Sequence, residues 1–172
     1  MKRNLIQHRG FTMIETLIAV AILMISIAGP LTIAQKGLMA SVYARDQVTA
    51  SFLAQDAMEY VKNRRDYNTK YGVETGWLTG FDQCIDDPCV VDTLAGEIEN
   101  SSGPVSEILY RGPDGYTTDE TAGPASQFSR RFFLISNEAN DREYRAISEV
   151  SWNNGTVSNE VRLENQMFNV NR

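Results

Sequence analysis

Histidine is nearly absent from this chain: the single copy, His8, lies among the first ten residues, so everything beyond it has none. That excludes histidine-dependent nucleophilic catalysis and histidine-based zinc sites from the bulk of the protein. Cysteine is almost as scarce, with Cys84 and Cys89 set in CIDDPC rather than at the shorter C-x-x-C spacing of redox motifs. No glycine-rich phosphate cradle occurs, and no cysteine or histidine cluster has metal-ligand spacing. Positive charge is the minority sign. The formal net charge is −6, and −9 once Lys2, Arg3 and Arg9 are set aside. An exterior this acidic argues against nucleic acid as a partner, which needs a basic footprint.

Long apolar runs are also missing, with one exception. Residues 11–34 are mostly aliphatic and uncharged apart from Glu15, enough to cross a bilayer that needs about 20 residues. Lys2, Arg3 and Arg9 precede the run, so the positive-inside rule holds the first ten residues in the cytoplasm and sends everything after Lys36 outward. This predicts a single-pass inner-membrane protein with one extracytoplasmic domain, for which 172 residues leave room.

Three readings compete for the amino terminus. A cleaved secretory signal has an apolar core of about 7 to 15 residues followed by a small-x-small site. This run is longer, and no convincing site follows it. A plain signal anchor explains the length and the charge asymmetry, but neither Glu15 nor the junction of Gly10 and Phe11. The third reading is a cut between Gly10 and Phe11. Cutting there turns the neutral amide nitrogen of Phe11 into an amine that can carry positive charge, four residues from an anion. On a helix Glu15 lies only about 6 Å deeper than Phe11, close enough to the interface to stay below the roughly 2.5 to 3.5 kcal/mol that a charge costs at a helix centre. When such helices pack side by side, an unpaired carboxylate is strongly unfavourable, whereas one facing a neighbour's ammonium is compensated. Glu15 would then set the register of assembly.

The sequence RG-FTMIE followed by an aliphatic run resembles the amino terminus of type IV prepilins and type II secretion pseudopilins. The resemblance implies that a membrane peptidase cuts after Gly10, that Phe11 becomes the methylated terminus, and that Glu15 is the assembly glutamate. Its implied partners are other pilin or pseudopilin subunits met through the amino-terminal helix, the prepilin peptidase, the inner-membrane assembly platform and the lipid bilayer. It implies a structural subunit and no enzyme, with no cofactor, metal or catalytic residue. The filament would be periplasmic or extracellular and belong to a pilus, a secretion system or a competence apparatus. The pattern A-x-x-L-A-Q-x-x-M-E at residues 50–59 is similar to minor pilins and minor pseudopilins more than to major ones. Two departures matter. Major pilins commonly carry a kinking proline at the place of Thr32, whereas here Gly29 and Pro30 come first; a kink or local loosening is expected there, because proline lacks an N–H and crowds the preceding turn. Many major pilins also have a wider disulfide loop near the carboxyl end, whose absence points away from a major subunit.

Beyond the membrane, Ala40, Tyr43, Ala44, Ala50, Leu53, Ala54, Ala57, Met58 and Val61 recur at helical spacing, and neither proline nor glycine falls between Leu38 and Tyr71. One helix is therefore predicted from the membrane to about Asp66, with that stripe against a head. Lys62, Arg64 and Arg65 would sit at its carboxyl end, where they favour the helix dipole. The expected segments are a cleaved leader at 1–10, a transmembrane helix at 11–34, the outer half of the helix at 35–66 and a globular head at 67–172.

Residues 67–126 are rich in turn formers, with short strands predicted around 89–94 and 107–110. Cys84 and Cys89 read as a local disulfide closing a short loop over Pro88, against the bland alternative of two partly buried thiols. A further strand is predicted at 127–136. From Tyr144 on, Ala146, Val150 and Trp152 alternate with Arg145, Glu149 and Ser151; NNG at 153–155 signals a turn; Val157, Val161, Leu163 and Met167 then share one face. Trp77, Phe81, Tyr110, Phe128, Phe132, Phe133 and Trp152 are expected in the core. DQCIDDPC and PDGYTTDE are expected as solvated acidic loops, since neither fits a calcium loop pattern. The fold class is α+β: a long amino-terminal helix, transmembrane half plus amphipathic outer half, packed on a small antiparallel sheet. The competing function is a signal-anchored extracytoplasmic domain that never polymerises and binds a ligand through residues 67–126.

Overall fold

A computed structural model describes residues 10–71, 76–101, 107–137 and 142–169. Lys2, Arg3, His8 and Arg9 of the expected leader lie outside the described residues. The chain divides into two units, Met1–Ala44 and Arg45–Arg172.

A single helix, α1 (Met13–Tyr71), runs through 59 residues with Pro30 inside it. Its first part belongs to the amino-terminal unit, where every described side chain is exposed and mostly aliphatic. Its second part belongs to the head. There burial begins at Asp46 and repeats at Ala50, Leu53, Ala54, Ala57, Met58, Val61 and Asn68, one face of a helix. The alanines, fully buried, let the strands approach the helix backbone closely. The predicted stripe is thus right from Ala50 onward, while Ala40, Tyr43 and Ala44 are exposed. The helix also runs five residues past the expected end at Asp66, held by the pairing of Tyr67 with Tyr71 at 4.6 Å between rings and by Lys70 in the last turn. Lys62, Arg64 and Arg65 therefore lie before the terminal turn, and Arg65 pairs with Asp66 at 2.6 Å.

The head is one antiparallel sheet. Its strands among the described residues are β1 (Cys89–Asp92), β2 (Glu97–Asn100), β3 (Ile108–Arg111), β4 (Tyr116–Thr117), β5 (Ala125–Ser136), β6 (Glu143–Asn154) and β7 (Val157–Phe168). β5 is the spine: β6 pairs along one side of it, and β1 and β3 along the other. β1 carries β2, β3 carries β4, and β6 carries β7. The strands predicted near 89–94, 107–110 and 127–136 are present; β2 and β4 went unpredicted, being short and polar.

Alternation decides which side chains meet the helix. In β5 the even positions Phe128, Arg130, Phe132 and Leu134 are buried, so Phe133 points to the other face, half-buried beside the Arg131 guanidinium. The predicted core placement fails for Phe133, and Trp77 and Tyr110 are only half-buried. In β6 Ala146, Val150 and Trp152 are buried as expected, with Ser148 between them; Tyr144, expected on the same face, is half-buried, and Ile147 on the opposite face is buried too. It sits between Phe133 and Glu164 in the cross-strand register, under a chain of ion pairs linking Glu107, Arg131, Glu149, Arg162, Glu164 and Arg145. The β6–β7 turn comes one residue later than NNG suggests: Asn154 pairs with Val157, leaving Gly155 at φ +66° and Thr156 as the loop. Glycine at the first central position of a two-residue loop satisfies the twist of the flanking strands. Val157, expected in the buried set, is 59% exposed, because β7 is an edge strand whose tip outruns the helix-covered core.

Candidate functional site

The amino-terminal segment carries the residues singled out from sequence. Gly10, Phe11 and Thr12 are not helical, and α1 starts at Met13. Thr12 is the N-cap: its carbonyl accepts the amide N–H of Glu15 at 3.1 Å and of Thr16 at 3.2 Å, and its hydroxyl also receives the Glu15 N–H at 3.4 Å. Glu15 stands three residues on, the spacing of a capping box, with its carboxylate in the positive field of the helix amino terminus. Phe11 is 79% exposed, and every residue from there through Arg45 is exposed as well. A methyl group built on Gly10 would meet nothing within 4 Å, so the fold itself does not ask for glycine there.

Helix α1 contains a window long and apolar enough to cross a membrane, none of it buried within the protein. Its polar hydroxyls are turned back onto the backbone, Ser26 donating to the Ile22 carbonyl at 2.7 Å and Thr32 to that of Ala28 at 2.9 Å. Such bonds satisfy the hydroxyls where water is scarce. Pro30 removes the N–H that the Ser26 carbonyl would otherwise receive, and neither Gly29 nor Pro30 interrupts the helical assignment.

Cys84 and Cys89 are joined in a disulfide and are both fully buried, at the carboxyl side of a short turn (Asp82–Cys84) and the start of β1. The loop they close is pinned to the end of β5: the Asp86 N–H donates to the Leu134 carbonyl at 2.7 Å and the Ser136 hydroxyl to the Asp86 carboxylate at 3.0 Å. DQCIDDPC is therefore a fastened corner of the core as well as an acidic loop.

Sequence reasoning missed three polar locks. Arg130 is fully buried in β5 and donates to the Leu53 carbonyl of α1 at 3.0 Å, to Asp56 at 3.4 Å and to the Val91 carbonyl of β1. Burial lowers its pKa and the Asp56 charge opposes that shift. Asp92 at the end of β1 is 4% exposed and accepts from the amides of Leu94, Ala95 and Thr118 and from the hydroxyls of Thr117 and Thr118. Burial pushes its carboxyl up, but these donors outweigh burial and hold the pKa at about 2. PDGYTTDE is thus partly a donor set for a buried carboxylate. Asn68 donates to the carbonyls of Trp77 at 3.1 Å and Thr79 at 2.8 Å, tying the helix end to the first turn of the head. The sequence hints were slight: an arginine at an inward position of a strand, and an aspartate ending the apolar run CVVD.

An open groove of about 560 Å³ lies on the head among Arg45, Asp46, Thr49, Arg111, Tyr116 and Gln127. Among the described residues no group of three or more metal-binding side chains comes together.

The family model for the prokaryotic N-terminal methylation motif matches residues 7–29. No curated protein and no solved structure matches the chain. The match takes in Gly10, Phe11, Glu15 and Gly29 and so overlaps the start of α1, the long helix that with the antiparallel sheet makes the α+β class the resemblance implied. The chain carries the type IV prepilin-like amino-terminal signal.

Proposed function

We propose that the protein is a minor pilin or pseudopilin, made as a membrane-inserted precursor, cut between Gly10 and Phe11, methylated at Phe11 and built into a filament through its amino-terminal helix. The observation that carries this is the methylation motif at 7–29, which overlaps the start of a helix whose aliphatic side chains are all exposed through Ala44. An uncovered apolar surface of that extent needs lipid first and neighbouring helices afterwards. In the membrane Glu15 stays near the interface; in the filament it faces a neighbouring subunit's amino-terminal ammonium, which offsets its burial. The head is exported from an inner-membrane anchor, and the role is structural, with peptidase, assembly platform and neighbouring subunits as partners. Gly29 and Pro30 provide a point at which the helix can bend during extraction or packing, since the carbonyl preceding them lacks its helical donor.

Mass spectrometry of the membrane-extracted protein tests the proposal. A mature chain beginning with methylated Phe11 is expected. A chain that keeps its first ten residues in cells with an active prepilin peptidase would instead be a signal-anchored domain.

A further inference from the structure

We propose that Asn154 is a site of spontaneous covalent change: its side-chain carboxamide closes onto the Gly155 backbone nitrogen as a succinimide, which water then opens to aspartate or isoaspartate. Asn154 is the only asparagine in the chain that precedes a glycine. It is the last residue of β6, and Gly155 and Thr156 form the two-residue loop before β7. Gly155 has no side chain to crowd its own nitrogen, and a Cβ built there would meet nothing within 4 Å. Residues 153–158 are all exposed, and among the described residues nothing holds the Asn154 carboxamide by a hydrogen bond. Asn68 is the contrast, 3% exposed with its amide donating to the Trp77 and Thr79 carbonyls. In the first step solvent base takes the Gly155 amide proton, the nitrogen bonds to Cγ of Asn154, and the bond from Cγ to the side-chain nitrogen breaks; that nitrogen picks up a proton and leaves as ammonia. One water then adds to a ring carbonyl. Breaking the bond from the ring nitrogen to Cγ gives aspartate, and breaking its bond to the main-chain carbonyl carbon gives isoaspartate. The extended backbone of a strand holds nitrogen and Cγ apart, so ring closure waits for the last pair, Asn154 with Val157, to open. That pair lies at an exposed tip, Val157 being 59% exposed, and such tips open at little cost in free energy. Either product adds a negative charge to a chain already at −6. Isoaspartate also lengthens the main chain by one methylene, which breaks the register of Asn154 with Val157. The tip of the head thus carries a chemical record of the age of the molecule.

The test incubates the full chain in detergent at neutral pH, folded and separately in urea. The tryptic peptide of residues 146–162, which holds Asn153, Asn154 and Asn159 together, is then followed by mass spectrometry with fragmentation that separates aspartate from isoaspartate. Conversion is expected at Asn154 ahead of both neighbours, with a form lighter by one ammonia appearing first. It should run no more than about tenfold slower in the folded chain than in urea, since a frayed tip costs little to open. Asn154→Gln, whose side chain is one methylene too long for this ring, should leave the peptide unchanged over the same period. Conversion in urea with none in the folded chain overturns the proposal, because the fold would then lock the carboxamide away from the nitrogen. Conversion no faster at Asn154 than at Asn153 or Asn159 overturns it too, as does an equal mass change in the Gln variant. So does a sugar on Asn154 in chain purified from its native cells, since NGT at 154–156 also fits a glycosylation acceptor and a sugar would occupy the leaving nitrogen.

Discussion

Glu15 occupies the third position of α1, where its carboxylate already meets a positive field before any neighbour arrives. Removing the side chain and removing only its charge are therefore different experiments. Glu15→Gln keeps the capping-box spacing with Thr12 and loses the anion; it should insert and be processed normally yet enter filaments poorly, as read by sheared-filament immunoblots against total protein. Normal incorporation of that variant would count against the ammonium pairing. Asp92 gives a residue-scale prediction for the head. Its carboxyl ionises at about 2 in the fold against 3.8 in an ordinary setting, so its contribution is complete above about pH 4 and is lost as the pH falls toward 2. Asp92→Asn should cost about 1 to 3 kcal/mol at neutral pH, because an amide cannot accept from all five donors. The variant's thermal unfolding in detergent should also change less between pH 4 and 2 than that of the wild type.

At the scale of elements, the helix and the sheet are joined by more than apolar contact. Two clusters cover the interface, one around Met58, Val61, Phe81, Phe132, Leu134 and Met167 and one around Leu53, Leu109, Phe128, Val150 and Trp152. Arg130, fully buried, reaches from β5 to backbone carbonyls of both α1 and β1. Arg130→Ala removes the side-chain donor those carbonyls share, takes the cation from Asp56 and opens a cavity, so a loss of about 3 to 5 kcal/mol is expected in chemical denaturation. The connection between β4 and β5 is tight in a different way: a Cβ at Gly123 would strike the Arg111 carbonyl, and backbone cannot step aside as a side chain can. Gly123→Ala should lower the melting temperature, and an unchanged value would show that this turn is free to shift. By contrast, reducing the Cys84–Cys89 bond should cost less than about 3 kcal/mol, since its loop is short and Asp86 independently pins it to β5.

At the scale of the whole molecule, the two units answer to different solvents. Among the described residues of the amino-terminal unit none is buried, and its aliphatic side chains have no cover within the protein. The head closes its own core with a disulfide and buried polar locks. Such a division predicts that the head melts as one cooperative transition unaffected by dilution, while the self-association of the full chain depends on detergent concentration; size-exclusion chromatography and near-ultraviolet dichroism over a dilution series would separate the two.

The sequence by itself determined the amino-terminal signal, the helix stripe from Ala50 to Val61, the strands β5, β6 and β7, and the pairing of two nearby cysteines, because each is written in local spacing: a charge in an apolar run, a period of three to four, a period of two, a five-residue separation. What local spacing could not carry was decided by tertiary structure. The burial of Arg130 and Asp92 has no local sign, because partners up to 77 residues away supply their hydrogen bonds. Phe133 and Val157 read as core until strand alternation and an edge position turn them outward. Burial is a property of what arrives from elsewhere in the chain, and a window of neighbouring residues holds no record of it.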